Sequence, residues 1–245
     1  MNSKKLSVLM PMYNEGLTAA ANILETDAYF RRLEIDYEIV AVDDGSVDMT
    51  YDKALEAARE HIKVIKLEKN EGKGEALRQA FDSCTGELVM FLDGDLDIHP
   101  KQFAALFDVM KDKGADVVIG SKRHPDSVLN YPPARKILSA GYFFIVKMLF
   151  GLPLRDTQTG IKLFDAAVLK KVFHRVLIKR YAFDLELLVL AHYYGFKIAE
   201  APVVVDYKGK YGHITPKLIF KMLWDTAAVF YRLRVTGYYD KRKTK

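Results

Sequence analysis

Short apolar runs alternate with stretches of helical spacing along the first half of this 245-residue chain. Each run is nearly all apolar and rich in Val, Ile or Leu, which is typical of strands buried on both faces of a parallel sheet. The alternation predicts an α/β fold in which helices cover both faces of a mostly parallel, right-handed sheet. The strands predicted in this half are residues 6–10, 38–42, 64–67, 88–92 and 117–120.

The stretches between these strands predict helices, and the second half continues with a less regular pattern. There we expect one short strand at residues 202–205 and a polar loop at residues 155–160. No linker divides the chain, so we expect one folding domain over residues 1–235, followed by a basic tail over residues 236–245. The predicted helices are residues 17–33, 50–61, 74–83, 101–113, 133–150, 183–194 and 216–233, the last of them amphipathic.

The charge of the chain is unevenly distributed. The formal net charge is +5, and residues 208–221 and the tail 241–245 hold much of the excess. Basic segments are attracted to anionic lipid head groups by about 1 kcal/mol per residue near such a surface. A solvated chain end is the simpler interpretation of the tail, so the membrane interpretation needs support from other features.

The chain carries one cysteine, Cys84, which excludes an intrachain disulfide framework and a cysteine metal cluster. This usage fits a reducing compartment. No signal peptide is predicted, because the N-terminal residues lead straight into the first strand. The longest apolar stretch, residues 137–154, contains Lys147, two glycines and Pro153, and a membrane span needs about 20 apolar residues. We therefore expect a cytoplasmic protein, soluble or peripheral at the membrane face.

Polar residues follow each predicted strand of the first half, at the edge where parallel sheets bind ligands. The clearest case is Asp93-Gly94-Asp95, which follows an apolar strand and precedes Asp97. Carboxylates in this arrangement usually hold Mg²⁺ or Mn²⁺, which also carries substrate phosphates. The alternative is a solvated acidic turn before the helix that starts near Pro100.

Three further strand ends suit a nucleotide ligand. Tyr13-Asn14-Glu15 offers a stacking face beside polar groups, and Asp43-Asp44 offers carboxylates to a base N–H or a ribose hydroxyl. Asn70-Glu71-Gly72-Lys73-Gly74 places glycines and a lysine at a helix N-terminus, which suits a diphosphate. Ordinary turns and a helix cap at Ser46 are the structural alternatives. The chain has no dinucleotide fingerprint, no nucleophile elbow and no metal-spaced histidine pair.

In their order along the chain, these motifs resemble the family 2 glycosyltransferases of the GT-A fold, over about residues 6–235. Two motifs of the second half narrow the resemblance to the dolichyl-phosphate glucosyltransferases, and the related mannosyltransferases share the layout. The matching segments are Pro11-Met12-Tyr13-Asn14-Glu15, Val42-Asp43-Asp44-Gly45-Ser46, Asn70-Glu71-Gly72-Lys73-Gly74, Asp93-Gly94-Asp95, Gly120-Ser121-Lys122-Arg123, Asp156-Thr157-Gln158-Thr159-Gly160-Ile161-Lys162-Leu163-Phe164 and Arg180-Tyr181-Ala182-Phe183-Asp184-Leu185-Glu186-Leu187-Leu188.

The resemblance implies a nucleotide-sugar donor in residues 1–125, an acceptor in residues 126–235, and Mg²⁺ or Mn²⁺ between the aspartates and the donor diphosphate. It assigns donor contacts to Pro11, Tyr13, Asn14, Glu15, Val42, Asp43, Asp44, Lys73, Asp93 and Lys217. It assigns the metal to Asp93, Asp95 and Asp97, acceptor contacts to Arg135, Ser139 and Gln158, and catalytic roles to Asp95, Asp184 and Arg123, the last at the donor phosphates.

We therefore expect an inverting transfer of glucose from UDP-glucose to a polyprenyl phosphate, dolichyl or undecaprenyl, at the cytoplasmic membrane face. A phosphate acceptor is already an anion, whereas a hydroxyl acceptor needs a general base, for which Asp184 is the candidate. The alternatives are a saccharide or protein hydroxyl acceptor, a GDP-mannose donor, and a non-catalytic nucleotide-sugar binder. Asp97 stands where the mannosyltransferases often carry Gln, which weakens the GDP-mannose alternative. No nucleic-acid partner is expected.

Overall fold

The computed structural model describes residues 4–129, 133–206 and 215–240, and for residues 133–140 it describes the backbone alone. Its strands are β1 Leu6–Met12, β2 Tyr37–Asp43, β3 Ile62–Lys66, β4 Leu88–Leu92, β5 Val117–Ser121, β6 Val128–Leu129, β7 Ile161–Asp165, β8 Ile198–Pro202 and β9 Val204–Val205. Seven strands form one sheet in the order β3-β2-β1-β4-β7-β5-β8. All neighbours in this sheet are parallel except β7, which is antiparallel to β4 and β5. The mostly parallel α/β sheet is therefore confirmed.

Eight α-helices lie in the described ranges and surround the sheet. They are α1 Ala19–Arg32, α2 Thr50–Glu56, α3 Lys73–Asp82, α4 Phe103–Lys113, α5 Pro133–Phe150, α6 Ala166–Val172, α7 Phe183–Tyr193 and α8 Pro216–Phe230. A π-helical turn, Tyr231–Val235, continues α8. Among the helices described here, none combines the length and the apolar character needed to cross a membrane.

Each face of the sheet has its own apolar core, because successive side chains of a strand point to opposite faces. In β4, Leu88, Met90 and Leu92 belong to the core that includes residues of α1 and α4. Val89 and Phe91 belong to the opposite core, with residues of α3 and α7. Burial on both faces explains why these strands appear in the sequence as unbroken apolar runs.

The strand β7 and the helix α6 were not predicted from the sequence. β7 inserts between β4 and β5, so that Lys162 lies opposite Phe91 on one side and Ile119 on the other. A lysine in the middle of a five-residue strand interrupts the apolar pattern by which the other buried strands were identified. The insertion brings the loop of residues 155–160 to the end of β4.

Two predicted elements differ from the structure by four or more residues at one end. The helix predicted over residues 50–61 ends at Glu56, because the chain turns back and the main chains of Arg59 and Ile62 bond to each other at 3.2 and 3.1 Å. The strand predicted over residues 202–205 begins earlier, as β8, and its last two residues form β9, which pairs with β6 outside the main sheet.

Candidate active site

The segments that follow β1, β2, β3 and β4 form a cleft of about 420 Å³ with the start of α7 and the loop before β7. This is the sheet edge at which the sequence analysis predicted a ligand. Both predicted halves of the chain contribute to it. The residues that line it are Pro11, Met12, Tyr13, Glu15, Asp44, Asn70, Gly72, Lys73, Asp93, Gly94, Asp95, Gln158, Arg180, Tyr181 and Asp184.

Asp93 is fixed from two sides. The Nζ atom of Lys73, at the start of α3, lies 2.6 Å from Oδ1 of Asp93. The main-chain N–H of Asp93 donates to the carbonyl oxygen of Gly160 at 3.1 Å. A Cβ atom at Gly160 would lie 2.3 Å from Oδ2 of Asp93. Position 160 therefore has no room for a side chain while Asp93 keeps this orientation.

Two other carboxyl groups of the cleft have strongly raised pKa values. Burial, together with the charges of Asp95 and Asp93, raises the pKa of Glu15 to about 8. Oε2 of Glu15 is buried and has no hydrogen-bond partner among the residues that the structure describes. Desolvation in the cleft and the charge of Asp93 raise the pKa of Asp95 to about 6. The negative charge of the cleft therefore exceeds what Lys73 compensates, and the cleft favours a bound cation or proton.

Asp44 holds the loop that precedes α3. Its carboxylate accepts the main-chain N–H of Glu71 at 2.8 Å and that of Gly72 at 2.9 Å. Gly72 has a φ of +108°, and a Cβ atom there would lie 2.5 Å from the carbonyl oxygen of Lys179, so this loop requires glycine. Asp44 thus shapes the cleft that it lines, and its contact with the nucleoside stays a prediction.

Asp184, in the first turn of α7, is buried between two lysines. Its Oδ1 accepts a hydrogen bond from Nζ of Lys162 at 2.7 Å, and its Oδ2 lies 3.8 Å from Nζ of Lys73. Burial opposes the ionisation of Asp184, but the two lysines outweigh it and hold the pKa of the carboxyl below its usual value. A carboxylate stabilised in this way is a weak base, so the geometry does not favour the predicted role of general base.

The three aspartates predicted to bind a metal line one small pocket of about 110 Å³ beside the cleft. In the part of the chain that the structure describes, no group of three or more Asp, Glu, His or Cys side chains is arranged to hold a metal by itself. Two carboxylates completed by substrate phosphates are a usual ligand set for Mg²⁺ or Mn²⁺. The unpartnered Oε2 of Glu15 and the raised pKa of Asp95 fit such a cation. Asp93 and Asp95 are the suitable ligands, and Asp97 as a third stays a prediction.

Besides Lys217, three predicted donor contacts do not line the cleft. Val42 is fully buried in the core, so its side chain does not reach a ligand in the cleft. Asp43 accepts the main-chain N–H of Ser46 at 3.1 Å, and the side chain of Asn14 accepts that of Val47 at 3.1 Å. Asp43 and Asn14 therefore order the turns at the edge of the cleft.

Arg123 and Lys217, two of the residues predicted to contact phosphates, are not among the residues that line the cleft. The guanidinium of Arg123 stacks over the ring of Phe143 at 4.9 Å. Lys217 is exposed in the first turn of α8. The side chains of Arg135 and Ser139 lie outside the described residues. The phosphate and acceptor contacts of these four residues stay predictions.

Arg180 and Tyr181 line the cleft, although the sequence analysis did not single them out as ligands. Nη2 of Arg180 donates to the carbonyl oxygen of Asn70 at 2.6 Å, which joins the start of α7 to the loop before α3. Both residues belong to a segment that matches the family motifs, residues 180–188. The acidic residues of that segment, Asp184 and Glu186, are already favoured by the dipole at the N-terminus of a helix, so they do not indicate a ligand site. The link between residues 70 and 180 is tertiary, and no local pattern shows it.

Residues 7–173 match the family described as Glycosyl transferase family 2. The dolichyl-phosphate beta-glucosyltransferase of Homo sapiens is 33% identical over 217 residues, covering 82% of this chain and 67% of that protein. The protein of the same name from Saccharomyces cerevisiae is 33% identical over 223 residues, covering 81% of this chain and 66% of that protein. The crystal structure of glucosyl-3-phosphoglycerate synthase from Mycobacterium tuberculosis with Mn²⁺, UDP and phosphoglyceric acid superposes with a TM-score of 0.70 at 19% identity, covering 94% of this chain and 78% of that chain.

The likeness to the mycobacterial structure identifies the sheet and its helices as a GT-A fold, which confirms the predicted fold class. That fold and the acid-rich cleft at its sheet edge define a glycosyltransferase. The chain belongs to glycosyl transferase family 2, which confirms the resemblance of its motifs.

Proposed function

We propose that this glycosyltransferase transfers glucose from UDP-glucose to a polyprenyl phosphate at the cytoplasmic face of a membrane. The observation that carries the proposal is the acid-rich cleft in a chain one-third identical to dolichyl-phosphate beta-glucosyltransferases. UDP-glucose carries its glucose in an α linkage, so a β-linked product requires inversion at the anomeric carbon.

The donor diphosphate is assigned to the acidic side of the cleft. Asp93 and Asp95 would hold Mg²⁺ or Mn²⁺, which when bound would neutralise the charge that develops on the nucleoside diphosphate leaving group. Lys73, 2.6 Å from Asp93, adds a fixed positive charge at the same place. The nucleoside is assigned to Tyr13, which lines the cleft and exposes a ring for stacking.

A phosphate acceptor suits the charges around Asp184. Because the acceptor is already an anion, the transfer needs no base to remove a proton. Asp184 is held ionised by Lys162 and Lys73, so it is better suited to fixing those lysines than to taking up a proton. A hydroxyl acceptor would require the opposite property.

An exposed apolar stripe on α8 supports a membrane location. Phe220 and Trp224 are 68% and 67% exposed, and their rings stack with centroids 6.3 Å apart. Ile219 and Leu223 are also exposed on α8, at compatible helical spacing. Amphipathic helices of this kind lie in the interface of a bilayer, where basic residues meet anionic lipids.

The helix α8 that carries the stripe adjoins the cleft, which gives a lipid-borne phosphate a route to the donor. Lys221 on α8 places its Nζ 5.7 Å from the ring centroid of Tyr181, which lines the cleft. Not all of the apolar side of the helix is exposed, since Val229 is fully buried and Phe230 packs against the core. The last turns of α8 therefore anchor the helix, and its first turns present the stripe.

The test of the activity is transfer of labelled glucose from UDP-glucose to undecaprenyl phosphate in vesicles with Mn²⁺. We expect label in the organic-extractable product, its loss in Asp95→Asn, and wild-type transfer in Asp112→Asn, an exposed acid of α4. Label only in water-soluble glycans would show the hydroxyl acceptor instead. A thermal-shift panel ranks UDP- against GDP-sugars, because a ligand at a hundred times its dissociation constant stabilises by about 2.7 kcal/mol.

The membrane location is tested by flotation with vesicles that contain anionic lipid. We expect the wild type to float and the double variant Phe220→Ser/Trp224→Ser to stay at the bottom of the gradient. The matched control is Leu24→Ser/Leu55→Ser, which removes two exposed leucines from α1 and α2. Equal flotation of all three proteins would contradict the role of the stripe.

A further inference from the structure

The side chain of Lys162 is a buried cation in the middle of the central sheet. It lies on β7 between Phe91 of β4 and Ile119 of β5, and its side chain is only 1% exposed. An ammonium group removed from water is strongly destabilising unless it is paired and hydrogen-bonded. Burial lowers the pKa of Lys162, against the opposing charge of Asp184. A lysine retained at such a position calls for a specific partner.

Within the described part of the chain, Lys162 has two hydrogen-bond partners, and both belong to segments that line the cleft. Its Nζ donates to the carbonyl oxygen of Thr159 at 2.5 Å and to Oδ1 of Asp184 at 2.7 Å. Thr159 stands between Gln158, which lines the cleft, and Gly160, which contacts Asp93. The ammonium group thus joins the loop before β7 to the start of α7.

Both contacts of Lys162 lead to Asp93. In the first path, Asp184 lies 3.8 Å from Lys73, whose Nζ is 2.6 Å from Oδ1 of Asp93. In the second path, Gly160 follows Thr159, and its carbonyl oxygen accepts the N–H of Asp93 at 3.1 Å. Charges therefore alternate from Lys162 through Asp184 and Lys73 to Asp93, and the main chain of the loop supports the same carboxylate from behind.

We propose that Lys162 is a positioning residue of the donor site. This proposal rests on the donor assignment made above. It holds Asp184 in place behind Lys73, and Asp184 in turn keeps Lys73 shared between two carboxylates. Without Lys162, Lys73 is the nearest described cation left to the Asp184 carboxylate, with Lys122 acting from farther away. Lys73 then moves toward Asp184 and away from Asp93. The geometry that Asp93 presents to the donor diphosphate is then lost, although Lys162 touches no ligand.

The test is a double-mutant cycle of Lys162→Met and Asp184→Asn, with Lys162→Arg as the conservative variant. Three quantities are measured for each protein: the melting temperature, the affinity for UDP with Mn²⁺, and kcat and KM for UDP-glucose. The matched control is Lys63→Met, which removes the lysine paired with buried Glu38 at 3.2 Å, at the opposite edge of the sheet. If Lys162 had only a structural role, its replacement would lower the melting temperature and leave the affinity for UDP and the kinetic constants unchanged.

We expect Lys162→Met to lower kcat about 10- to 100-fold, the usual effect of removing a group that orients a ligand-binding residue. We expect the affinity for UDP to fall as well. Lys162→Arg should recover part of the kcat and part of the UDP affinity, and Lys63→Met should change neither quantity. Asp184→Asn already breaks the path through Lys73, so adding Lys162→Met to it removes only the contact with Thr159 and lowers kcat or UDP affinity less than it does in the wild-type background. Losses that multiply in the double variant would overturn the proposal, as would wild-type kcat and affinity in Lys162→Met.

The cycle also covers a single variant that does not fold. The double variant contains no buried charge from Lys162 or Asp184, so it can be compared with Asp184→Asn alone. Where turnover is too low to measure, the comparison uses the affinity for UDP. A further drop of less than about tenfold supports the proposal, and a drop of about tenfold or more contradicts it. If the wild-type protein binds no uridine nucleotide, the donor assignment itself is wrong. If the wild type binds UDP and Lys162→Met binds it equally well, the donor assignment stands and only the role of Lys162 is wrong.

Discussion

Buried carboxyl groups lie at both ends of the parallel strands of the central sheet, and their charge is compensated differently at the two ends. We call the end where the strands begin the amino edge and the end where they finish, which holds the cleft, the carboxyl edge. At the amino edge, Glu38 accepts hydrogen bonds from Ser7 at 2.8 Å, from the main chain of Thr85 at 2.5 Å and from Lys63 at 3.2 Å. Although burial opposes ionisation, these partners lower its pKa to about 2. At the carboxyl edge, Glu15 has an unpartnered oxygen and a pKa raised to about 8.

The same residue type therefore serves two purposes in one sheet. A carboxylate whose partners are all supplied by the protein stabilises the fold, as Glu38 does. A set of carboxylates with too few partners destabilises the free protein and is satisfied only by a ligand, which is typical of functional sites. The contrast predicts that substitutions at the two edges have opposite effects on stability and on activity.

Asp93→Asn is the substitution with the largest expected effect on activity. It removes a carboxylate assigned to the metal and the donor diphosphate, so we expect turnover to fall by about 10²- to 10³-fold, as when an electrostatic contact to the transition state is lost. The melting temperature should stay the same or rise, because the like-charge repulsion with Asp95 and Glu15 is relieved. Glycosyl transfer and thermal unfolding measured on the same preparation check both expectations, and a large loss of stability would show that Asp93 is mainly structural.

Glu38→Gln is expected to do the reverse. The amide keeps the shape of the side chain but loses the charge that Lys63, Ser7 and Thr85 stabilise, so the free energy of unfolding should fall by up to about 3 kcal/mol. Turnover of the folded protein should equal that of the wild type, since Glu38 lies at the far edge of the sheet. Denaturant unfolding and kcat measured below the transition check this. A variant that loses turnover in proportion to stability would break the separation between the two edges.

The pH dependence of stability should show both edges at once. For Glu38, the folded pKa of about 2 lies below the ordinary value of 4.5, so its contribution is present above pH 4.5 and is lost as the pH falls toward 2. For Glu15, the folded pKa of about 8 lies above 4.5. The folded state then holds a proton that the unfolded state releases, and the free energy of unfolding falls as the pH rises from 4.5 to 8.

We therefore expect the ligand-free protein to be most stable near pH 4.5 to 5. Melting temperatures measured from pH 3 to pH 9 check this expectation. Glu15→Gln should flatten the decline on the alkaline side and leave the acid side unchanged. Mn²⁺ with UDP should flatten the same side, because a cation replaces the proton. A decline above pH 5 that is identical in Glu15→Gln would show that Glu15 is not its source.

The fold and the position of the cleft were predictable because they depend on local periodicity. Buried parallel strands leave apolar runs, and the residues that follow them meet at one edge, so the sequence alone groups Tyr13, Asp44 and Asp93. β7 was missed because the burial of Lys162 depends on Asp184, on another element of the fold. No pattern within five residues indicates that such a lysine is neutralised inside a sheet.

The individual contacts were less predictable than the cleft. Val42 belongs to a matching motif, yet its side chain points into the core, because a motif identifies a segment and not the direction of each side chain. Arg180 joins the cleft through Asn70, far away in sequence. The exposed rings of Phe220 and Trp224 have the same helical spacing as core residues such as Val229, and only packing tells them apart.

Asp97→Asn is the substitution with the smallest expected effect, and it sharpens the comparison within the carboxyl edge itself. Asp97 donates its main-chain N–H to Oδ1 of Asp95 at 3.1 Å, and that contact survives the substitution. What is lost is a negative charge that helps to raise the pKa of Asp95. If Asp93 and Asp95 are the metal ligands, Mn²⁺ affinity should fall by about tenfold, the low end of the range for a residue beyond the ligands themselves. Calorimetric titration with Mn²⁺ in the presence of UDP checks this, and a loss as large as that of Asp95→Asn would make Asp97 the third ligand.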